Sequence, residues 1–283
     1  MSWPDFLFLG APRSGTTLLY EAMSQHPGLW LSEVKEPLYF LNPTYAVWRV
    51  GNAGAYQALF QGRRRGQVAG EASTLYLYDP TAASRIRKKL PEARLIAVLR
   101  QPLDRAYSQY TFQRLLGQEP CATFEEALRA EPGRTNPFLS YLPVSRYAQQ
   151  VERYLDAFPP EQLLILLNDE LRQDLPGSLA RVFRFLGVDD AFEPAIRDAV
   201  NASGVPKQES LYRWAHRIAR PLKSVLPTSI VRRLQGGADA ALLRRPPSLA
   251  PELRQRLLHD GGFQDDILAT GRLLDRDLRH WIR

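Results

Sequence analysis

The sequence predicts an α/β protein with three layers, in which a central, mainly parallel sheet is flanked by helices on both faces. Two observations carry this prediction. Short apolar runs of strand length alternate along the chain with segments that have apolar residues at helical spacing. Gly or Pro stands where the helical segments end, as is typical of β-α-β units. The chain has 283 residues, enough for one large core, so we expect a single domain over residues 1–283.

The individual elements follow from these patterns in chain order. Strands are predicted for the apolar runs 6–9, 94–99 and 163–167, with a further short strand at 67–70. Helices are predicted for segments with apolar residues three or four apart, at 16–25, 104–116, 144–158 and 177–186. A last helix is expected at 267–278, followed by an aromatic residue that docks on the core. The Pro- and Gly-rich region 117–143 is predicted to be a surface excursion.

The turn between the first strand and the first helix is the most informative segment. Gly10 and Gly15 bound a turn that contains Arg13, and Thr16 and Thr17 begin the helix. The backbone N–H groups of such a turn, together with the free N–H groups of the helix, form a phosphate site. The spacing is that of a P-loop in which Thr16 replaces the usual lysine and the cation has moved to Arg13. Because hydrolysis of ATP or GTP needs that lysine, the substitution argues against an NTPase.

A second cation follows another predicted strand. Arg100 stands where the apolar run 94–99 ends, and open α/β sheets bind ligands at this carboxyl edge. A guanidinium group can donate two parallel hydrogen bonds to a phosphate. Ser108 lies early in the next helix, on the same face as Asp104 and Arg105 by helical spacing. The sequence therefore predicts two separate phosphate-binding elements.

Both elements resemble one known family. The loop Pro12-Arg13-Ser14-Gly15-Thr16-Thr17 resembles the 5′-phosphosulfate-binding loop of sulfotransferases that use 3′-phosphoadenylyl sulfate (PAPS). The segment from Arg94 to Ser108 resembles their 3′-phosphate-binding segment, and the resemblance covers residues 6 to about 210. It implies a P-loop-like fold in which the six loop residues bind the 5′-phosphosulfate, and Arg100 and Ser108 bind the 3′-phosphate. PAPS is then a co-substrate and 3′-phosphoadenosine 5′-phosphate (PAP) a product, with no metal.

A charged pair after the first helix supplies candidate catalytic residues. Lys35 and Glu36, in Lys35-Glu36-Pro37-Leu38-Tyr39-Phe40, resemble the K-E-x-x-F-F element of heparan-type carbohydrate sulfotransferases and bacterial relatives. In that branch the Glu is the proposed general base. The resemblance implies that Glu36 accepts the acceptor's proton, and that Lys35 and Arg13 stabilise the departing nucleotide. A solvated ion pair is the alternative interpretation of Lys35 and Glu36.

One segment departs from the family pattern. Gly70-Glu71-Ala72-Ser73-Thr74 has Ala72 where the heparan-type enzymes commonly carry a lysine. Because this lysine is missing, Lys35 and Arg13 become the main candidates for the cations beside the sulfate. Glu71 is a second candidate base or an acceptor-binding carboxylate, ranked below Glu36.

Two later segments are further candidates. Residues 201–210 resemble the late loop with which relatives close over the 3′-phosphate, so Lys207 is a candidate phosphate ligand, with a plain surface loop as the alternative. Tyr212 and Trp214 are candidates for stacking on adenine, or core residues. Residues 211–234 mix basic and apolar residues, a pattern that fits contact with an anionic membrane or glycolipid and also fits packing on the core.

Composition restricts the classes of partner. A net charge of +7, from 37 Lys and Arg against 30 Asp and Glu, suits an anionic ligand. Cys121 is the only cysteine, which excludes an intramolecular disulfide and a multi-cysteine metal site. We find neither a signal peptide nor a spanning segment, so a cytoplasmic protein is expected. The expected partner is a small-molecule or glycan acceptor and not a nucleic acid.

The sequence thus favours sulfuryl transfer to a hydroxyl of a carbohydrate, a glycolipid or a small natural product. Two alternatives stay open. A small-molecule kinase would use the same fold, although Thr16 in place of the P-loop lysine disfavours it. A non-catalytic module would bind PAP or a sulfated glycan through its basic face and transfer nothing.

Overall fold

The computed structural model describes residues 2–195 and 248–282, and the backbone of the short segments 205–206 and 243–244. Several predictions made from the sequence lie outside the described residues. These are Lys207, Tyr212, Trp214, the remainder of the loop 201–210 and the segment 211–234. Their roles stay predictions.

Among the described residues, five strands form one parallel sheet. They are β1 (Phe6–Gly10), β2 (Leu29–Leu31), β3 (Val68–Ala72), β4 (Arg94–Leu99) and β5 (Leu163–Leu167). Their order is β2-β3-β1-β4-β5, and each neighbouring pair is parallel. A separate antiparallel ribbon consists of β6 (Val205–Pro206) and β7 (Leu243–Arg244). The order places β1 in the middle of the sheet, so the loop that follows β1 emerges at its centre.

Helices connect and cover the strands. In chain order they are α1 (Thr16–Met23), α2 (Ala53–Ala58), α3 (Ala82–Lys89), α4 (Pro102–Leu115), α5 (Phe124–Ala130), α6 (Ala148–Ala157), α7 (Asn168–Gln173), α8 (Leu175–Leu186), α9 (Pro251–His259) and α10 (Phe263–Leu274). No helix in the described ranges is long and apolar enough to cross a membrane. The arrangement confirms the predicted three-layer α/β fold.

The sheet separates two hydrophobic clusters. Leu7 and Leu9 of β1 belong to a large cluster that includes residues of α3, α4, α6 and α10. Phe6 and Phe8 belong to a smaller cluster built with α1 and α8. Successive side chains of a strand point to opposite faces, so β1 contributes to both clusters in turn. Every residue of β1 is buried, as expected for a central strand of a parallel sheet.

The region 117–143 differs from its sequence-based interpretation as a surface excursion. It contains α5, which starts with a capping box. The Thr123 hydroxyl accepts from Glu126 N, and the Glu126 carboxylate accepts from Thr123 N. Phe124 and Ala127 of α5 are buried in the large cluster. The capping-box spacing is visible in the sequence, so this helix was predictable.

Helix boundaries differ from the prediction as well, most at α6 and at the last helix, by four residues. α6 begins at Ala148 and not at residue 144, because Pro143–Ser145 form a 3-10 turn before it. The last helix is α10 and ends at Leu274, since Asp275 has a positive φ. Beyond it Trp281 is only 2% exposed, which confirms that an aromatic residue docks on the core.

Candidate functional site

The loop between β1 and α1 has the backbone of an anion-binding turn. Gly15 precedes α1 with φ +99°, a conformation that residues with a side chain rarely adopt. A Cβ on Gly15 would also lie 3.0 Å from Asn168 Nδ2. α1 has no side-chain cap and no acidic residue in its first turn. Its first N–H groups and the positive end of its dipole are therefore available to an anion.

Side chains from three other elements hold the carbonyl groups of this loop. The bonds run from Arg105 Nη1 to Pro12 O (3.5 Å), from Arg100 Nη1 to Arg13 O (3.0 Å) and from Asn168 Nδ2 to Ser14 O (2.9 Å). Three consecutive carbonyl groups are thus held by Arg100, which follows β4, and by residues of α4 and α7. Such fixed backbone lowers the cost of ordering the loop when a ligand binds.

The structure brings the two predicted phosphate-binding elements together. Arg13 Nε donates to Ser108 Oγ at 3.3 Å, across 95 positions of sequence. The Arg13 guanidinium also lies 4.4 Å from the centre of the Phe112 ring. Arg13 therefore lies against the side of the site that was predicted for the 3′-phosphate. The loop and α4 line one site and not two.

Positive charge is concentrated around the loop. Burial lowers the pKa of Arg13 to about 10, and the nearby charges of Arg100 and Arg105 act in the same direction. Burial likewise lowers the pKa of Arg105 to about 10. Arg105 is 0% exposed and donates to Ser145 Oγ and Tyr141 O, both at 2.6 Å. A buried cluster of like charges is unfavourable alone and is stabilised by an anionic ligand.

A hydroxyl of the loop is buried as well. Ser14 is 0% exposed, and its hydroxyl interacts with the buried Tyr147 hydroxyl. The free backbone N–H groups and the surrounding positive charge suit the phosphate end of a nucleotide at the loop residues Pro12, Arg13, Ser14, Gly15, Thr16 and Thr17.

Lys35 lies at the end of the same loop. Its Nζ donates to Thr17 Oγ1 at 2.5 Å. Burial lowers the pKa of Lys35, whereas the charges of Glu36 and Glu21 raise it. The side chains of Lys35 and Glu36 contact different partners, which disfavours the solvated ion pair as their interpretation. Lys35 is placed to contact an anion bound by the loop.

Thr74 donates to both oxygens of the Glu36 carboxylate. Thr74 N donates to Oε2 at 2.8 Å, and the Thr74 hydroxyl donates to Oε1 at 2.7 Å. Burial raises the pKa of Glu36, while these two bonds and Lys35 act in the opposite direction. Glu36 has φ +59°, a left-handed conformation that is uncommon for residues other than glycine and is found at functional sites.

The segment that carries Glu36 is bound to the residues after β3 along its length. Every second residue from 36 to 42 donates its backbone N–H. The bonds are Glu36 N to Ala72 O (2.8 Å), Leu38 N to Ser73 Oγ (2.9 Å), Phe40 N to Tyr76 Oη (3.2 Å) and Asn42 N to Asp79 Oδ2 (2.5 Å). We call residues 36–42 the base segment.

Glu71 and Ala72, the last two residues of β3, have different surroundings. Glu71 is 0% exposed, and its Oε1 accepts from the Tyr56 hydroxyl at 3.0 Å. Burial raises the pKa of Glu71 to about 8. Ala72 is buried in the smaller hydrophobic cluster. Glu71 is thus enclosed by aromatic residues, which supports its rank below Glu36 as a base.

Three supporting residues were not predicted for the roles they have here: Thr74, Asn168 and Arg105. Asn168 directly follows β5, and Thr74 lies two positions after β3. Both are therefore at the carboxyl edge of the sheet, and the rule that singled out Arg100 would have found them. No sequence signal distinguishes the buried Arg105 from arginines that are exposed, such as Arg184 and Arg256. In the residues described here, no group of three or more His, Cys, Asp or Glu is arranged to hold a metal.

The fold and the site define an α/β protein whose central loop presents backbone N–H groups and buried arginines to an anion, beside the half-buried carboxylate of Glu36. Comparison with known proteins gives the family. The family model described as "Sulfotransferase domain" matches residues 3–203. The chain belongs to the sulfotransferase family.

Known relatives include enzymes named for heparan sulfate. The chain is 32% identical over 196 residues to human bifunctional heparan sulfate N-deacetylase/N-sulfotransferase 3, covering 65% of this chain and 22% of that protein. It is 29% identical over 190 residues to human heparan sulfate glucosamine 3-O-sulfotransferase 3B1, covering 65% of this chain and 46% of the relative. The chain therefore matches less than half the length of these relatives.

One solved structure is similar over the whole chain. The crystal structure of a sulfotransferase from Alicyclobacillus acidocaldarius superposes with a TM-score of 0.78 and 27% identity, with 100% of each chain covered. The similarity agrees with the parallel sheet and flanking helices described above.

Proposed function

We propose that the protein transfers a sulfuryl group from PAPS to a hydroxyl of a carbohydrate, a glycolipid or a small natural product, with Glu36 as general base. One observation carries the proposal. The phosphate loop contacts α4 through Arg13 and Ser108, and it contacts the neighbour of Glu36 through Thr17 and Lys35. The two phosphate-binding elements and the segment that carries Glu36 therefore border the same site.

Each residue has a role that follows from its position. The loop residues 12–17 and the start of α1 hold the 5′ end of the nucleotide, and Arg100 and Ser108 hold its 3′-phosphate. When bound, PAPS supplies a sulfuryl group on a good leaving group. Lys35 and Arg13 offset negative charge at the 5′ end. Glu36 accepts the hydroxyl proton as the new S–O bond forms.

The carbohydrate class of acceptor is supported by the relatives, whose names refer to heparan sulfate. An exposed aromatic residue beside the base segment offers a matching surface. Trp48 is 67% exposed, and two residues later Val50 N donates to Pro37 O at 2.8 Å. Because Pro37 is the neighbour of Glu36, this bond keeps the Trp48 loop close to the base. An indole ring gives a flat apolar surface suited to the face of a sugar.

For Trp48→Ala we expect the acceptor KM to rise about tenfold, with kcat and the KM for PAPS little changed. Initial rates at varied acceptor concentration measure this. Leu116→Ala is the matched control, because Leu116 is 49% exposed but caps the far end of α4. An unchanged KM in Trp48→Ala would remove Trp48 from the acceptor site.

The function is tested by incubating the protein with radiolabelled PAPS and a panel of desulfated heparan oligosaccharides, glycolipids and phenols. The expected result is a product that has gained one SO3, together with stoichiometric PAP. Binding of PAP without transfer to any acceptor would favour the non-catalytic module. A phosphorylated product formed from ATP and Mg²⁺ would favour the kinase.

A further inference from the structure

Thr74 connects Glu36 to the phosphate loop. Its backbone N–H and its hydroxyl occupy both oxygens of the Glu36 carboxylate, at 2.8 and 2.7 Å. Its carbonyl faces the loop, since a Cβ placed on Gly10 would lie only 2.4 Å from Thr74 O. Thr74 thus lies between the candidate base on one side and Gly10, the last residue of β1 before the loop, on the other.

The turn that carries Thr74 is itself fixed to the strand before the loop. Ser73 N donates to Phe8 O at 3.1 Å, and Leu77 N donates to Leu9 O at 2.8 Å. Thr74 is 3% exposed, so water has little access to its bonds. Residues 73–77 therefore form a rigid connection between β1 and the base segment.

We propose that Thr74 is a positioning residue that fixes the Glu36 carboxylate relative to the phosphate loop. The inference rests on the proposed function, in which Glu36 is the base. Two donors from one residue fix both the direction and the plane of the carboxylate. Proton transfer depends on such geometry, because the base has to lie within hydrogen-bond reach of the reacting hydroxyl.

The same contact affects the acidity of Glu36. A hydroxyl that donates to a carboxylate stabilises its charged form and lowers its pKa. Among the described residues, the titratable groups that interact with Glu36 are Lys35 on its own segment, which lowers its pKa, and Glu71 of β3. Loss of the Thr74 hydroxyl therefore raises the pKa of Glu36. The acidic limb of the rate profile, where Glu36 becomes protonated, then moves to higher pH.

The test compares Thr74→Val, which keeps the shape and removes the hydroxyl, with Thr74→Ser, which keeps the hydroxyl. We expect Thr74→Val to lower kcat about tenfold or more, to move the acidic limb of the kcat profile to higher pH, and to leave PAP affinity unchanged. Thr74→Ser restores the rate and the profile. Wild-type kcat and pH dependence in Thr74→Val, or equal defects in both variants, would overturn the proposal.

Thr270→Val is the matched control for loss of a buried hydroxyl. Thr270 is 0% exposed, and its hydroxyl donates to Asp266 O at 2.7 Å within α10. We expect its kcat and pH profile to match the wild type. Should Thr74→Val fail to fold, Thr74→Ala removes the same hydroxyl without added bulk and carries the same expectation.

A measurement without turnover separates this inference from the proposed function. The Glu36 carboxyl resonance, assigned in ¹³C-labelled protein by its loss in Glu36→Gln, is titrated in the wild type and in Thr74→Val. A higher pKa in Thr74→Val supports the positioning contact even if no acceptor is ever sulfated. Equal pKa values would refute the contact, even if Glu36→Gln abolishes sulfate transfer.

Discussion

Glu36→Gln lowers kcat by about a thousandfold while the affinity for PAP stays close to that of the wild type. The amide keeps the size of the carboxylate but cannot accept the proton of the acceptor hydroxyl. PAP binding is expected to be unaffected, because in the proposed complex the phosphates contact the loop, Arg100 and Ser108 of α4 and not Glu36. The steady-state rate at which sulfated product forms gives kcat. Calorimetric titration with PAP gives the affinity for the nucleotide.

Glu71→Gln is the matched comparison, since it makes the same chemical change in the second candidate base. Glu71 is fully buried against Tyr56. We expect Glu71→Gln to affect turnover far less than Glu36→Gln does. If Glu71→Gln abolished transfer and Glu36→Gln kept wild-type kcat, the two roles would be reversed.

Arg100→Ala weakens PAP binding by about a hundredfold, because the variant lacks the guanidinium group that binds the 3′-phosphate. The selectivity for a nucleotide with a 3′-phosphate is lost with it. The wild type is expected to bind PAP more tightly than adenosine 5′-phosphate, which lacks the 3′-phosphate. In Arg100→Ala the two affinities converge. The variant also loses the bond from Arg100 to Arg13 O, so some affinity for the 5′ end is lost as well. Calorimetric titration with both nucleotides measures each effect.

Arg94→Ala is the control for this variant, because Arg94 begins the same strand that Arg100 follows. β4 has six residues, which places the two arginines about 20 Å apart. We expect Arg94→Ala to keep both the affinity for PAP and the preference for it. An Arg100→Ala protein that still preferred PAP to adenosine 5′-phosphate would show that Arg100 does not bind the 3′-phosphate.

The parts of the site that the sequence predicted are governed by local rules. The phosphate loop follows from two glycines between a strand and a helix, and Gly15 indeed has the positive φ that its position requires. Arg100 was predicted as a phosphate ligand because the carboxyl edge of a parallel sheet binds ligands, and the structure places it beside the loop. The β1, β4 and β5 strands were found because buried parallel strands are continuous apolar runs.

The parts that were not predicted depend on contacts between distant segments. The contact of Arg13 with Ser108 depends on how α4 packs beside the loop, which no local pattern encodes. The ranking of Glu36 above Glu71 as the proposed base is supported by the deeper burial of Glu71, which is known only once the base segment is placed against the end of β3 and the residues after it. The role of Thr74 has the same origin, because a threonine in a loop has many possible partners.

A crystal structure of the protein with PAP would show whether one nucleotide joins the two phosphate-binding elements. We expect its 5′-phosphate on the backbone of residues 12–17 near Lys35, and its 3′-phosphate on Arg100 and Ser108. The 5′-phosphate then lies on the side of the site where Thr74 donates to the Glu36 carboxylate. A nucleotide bound elsewhere, or one whose 5′-phosphate points away from Lys35 and Glu36, would rule out the proposed site.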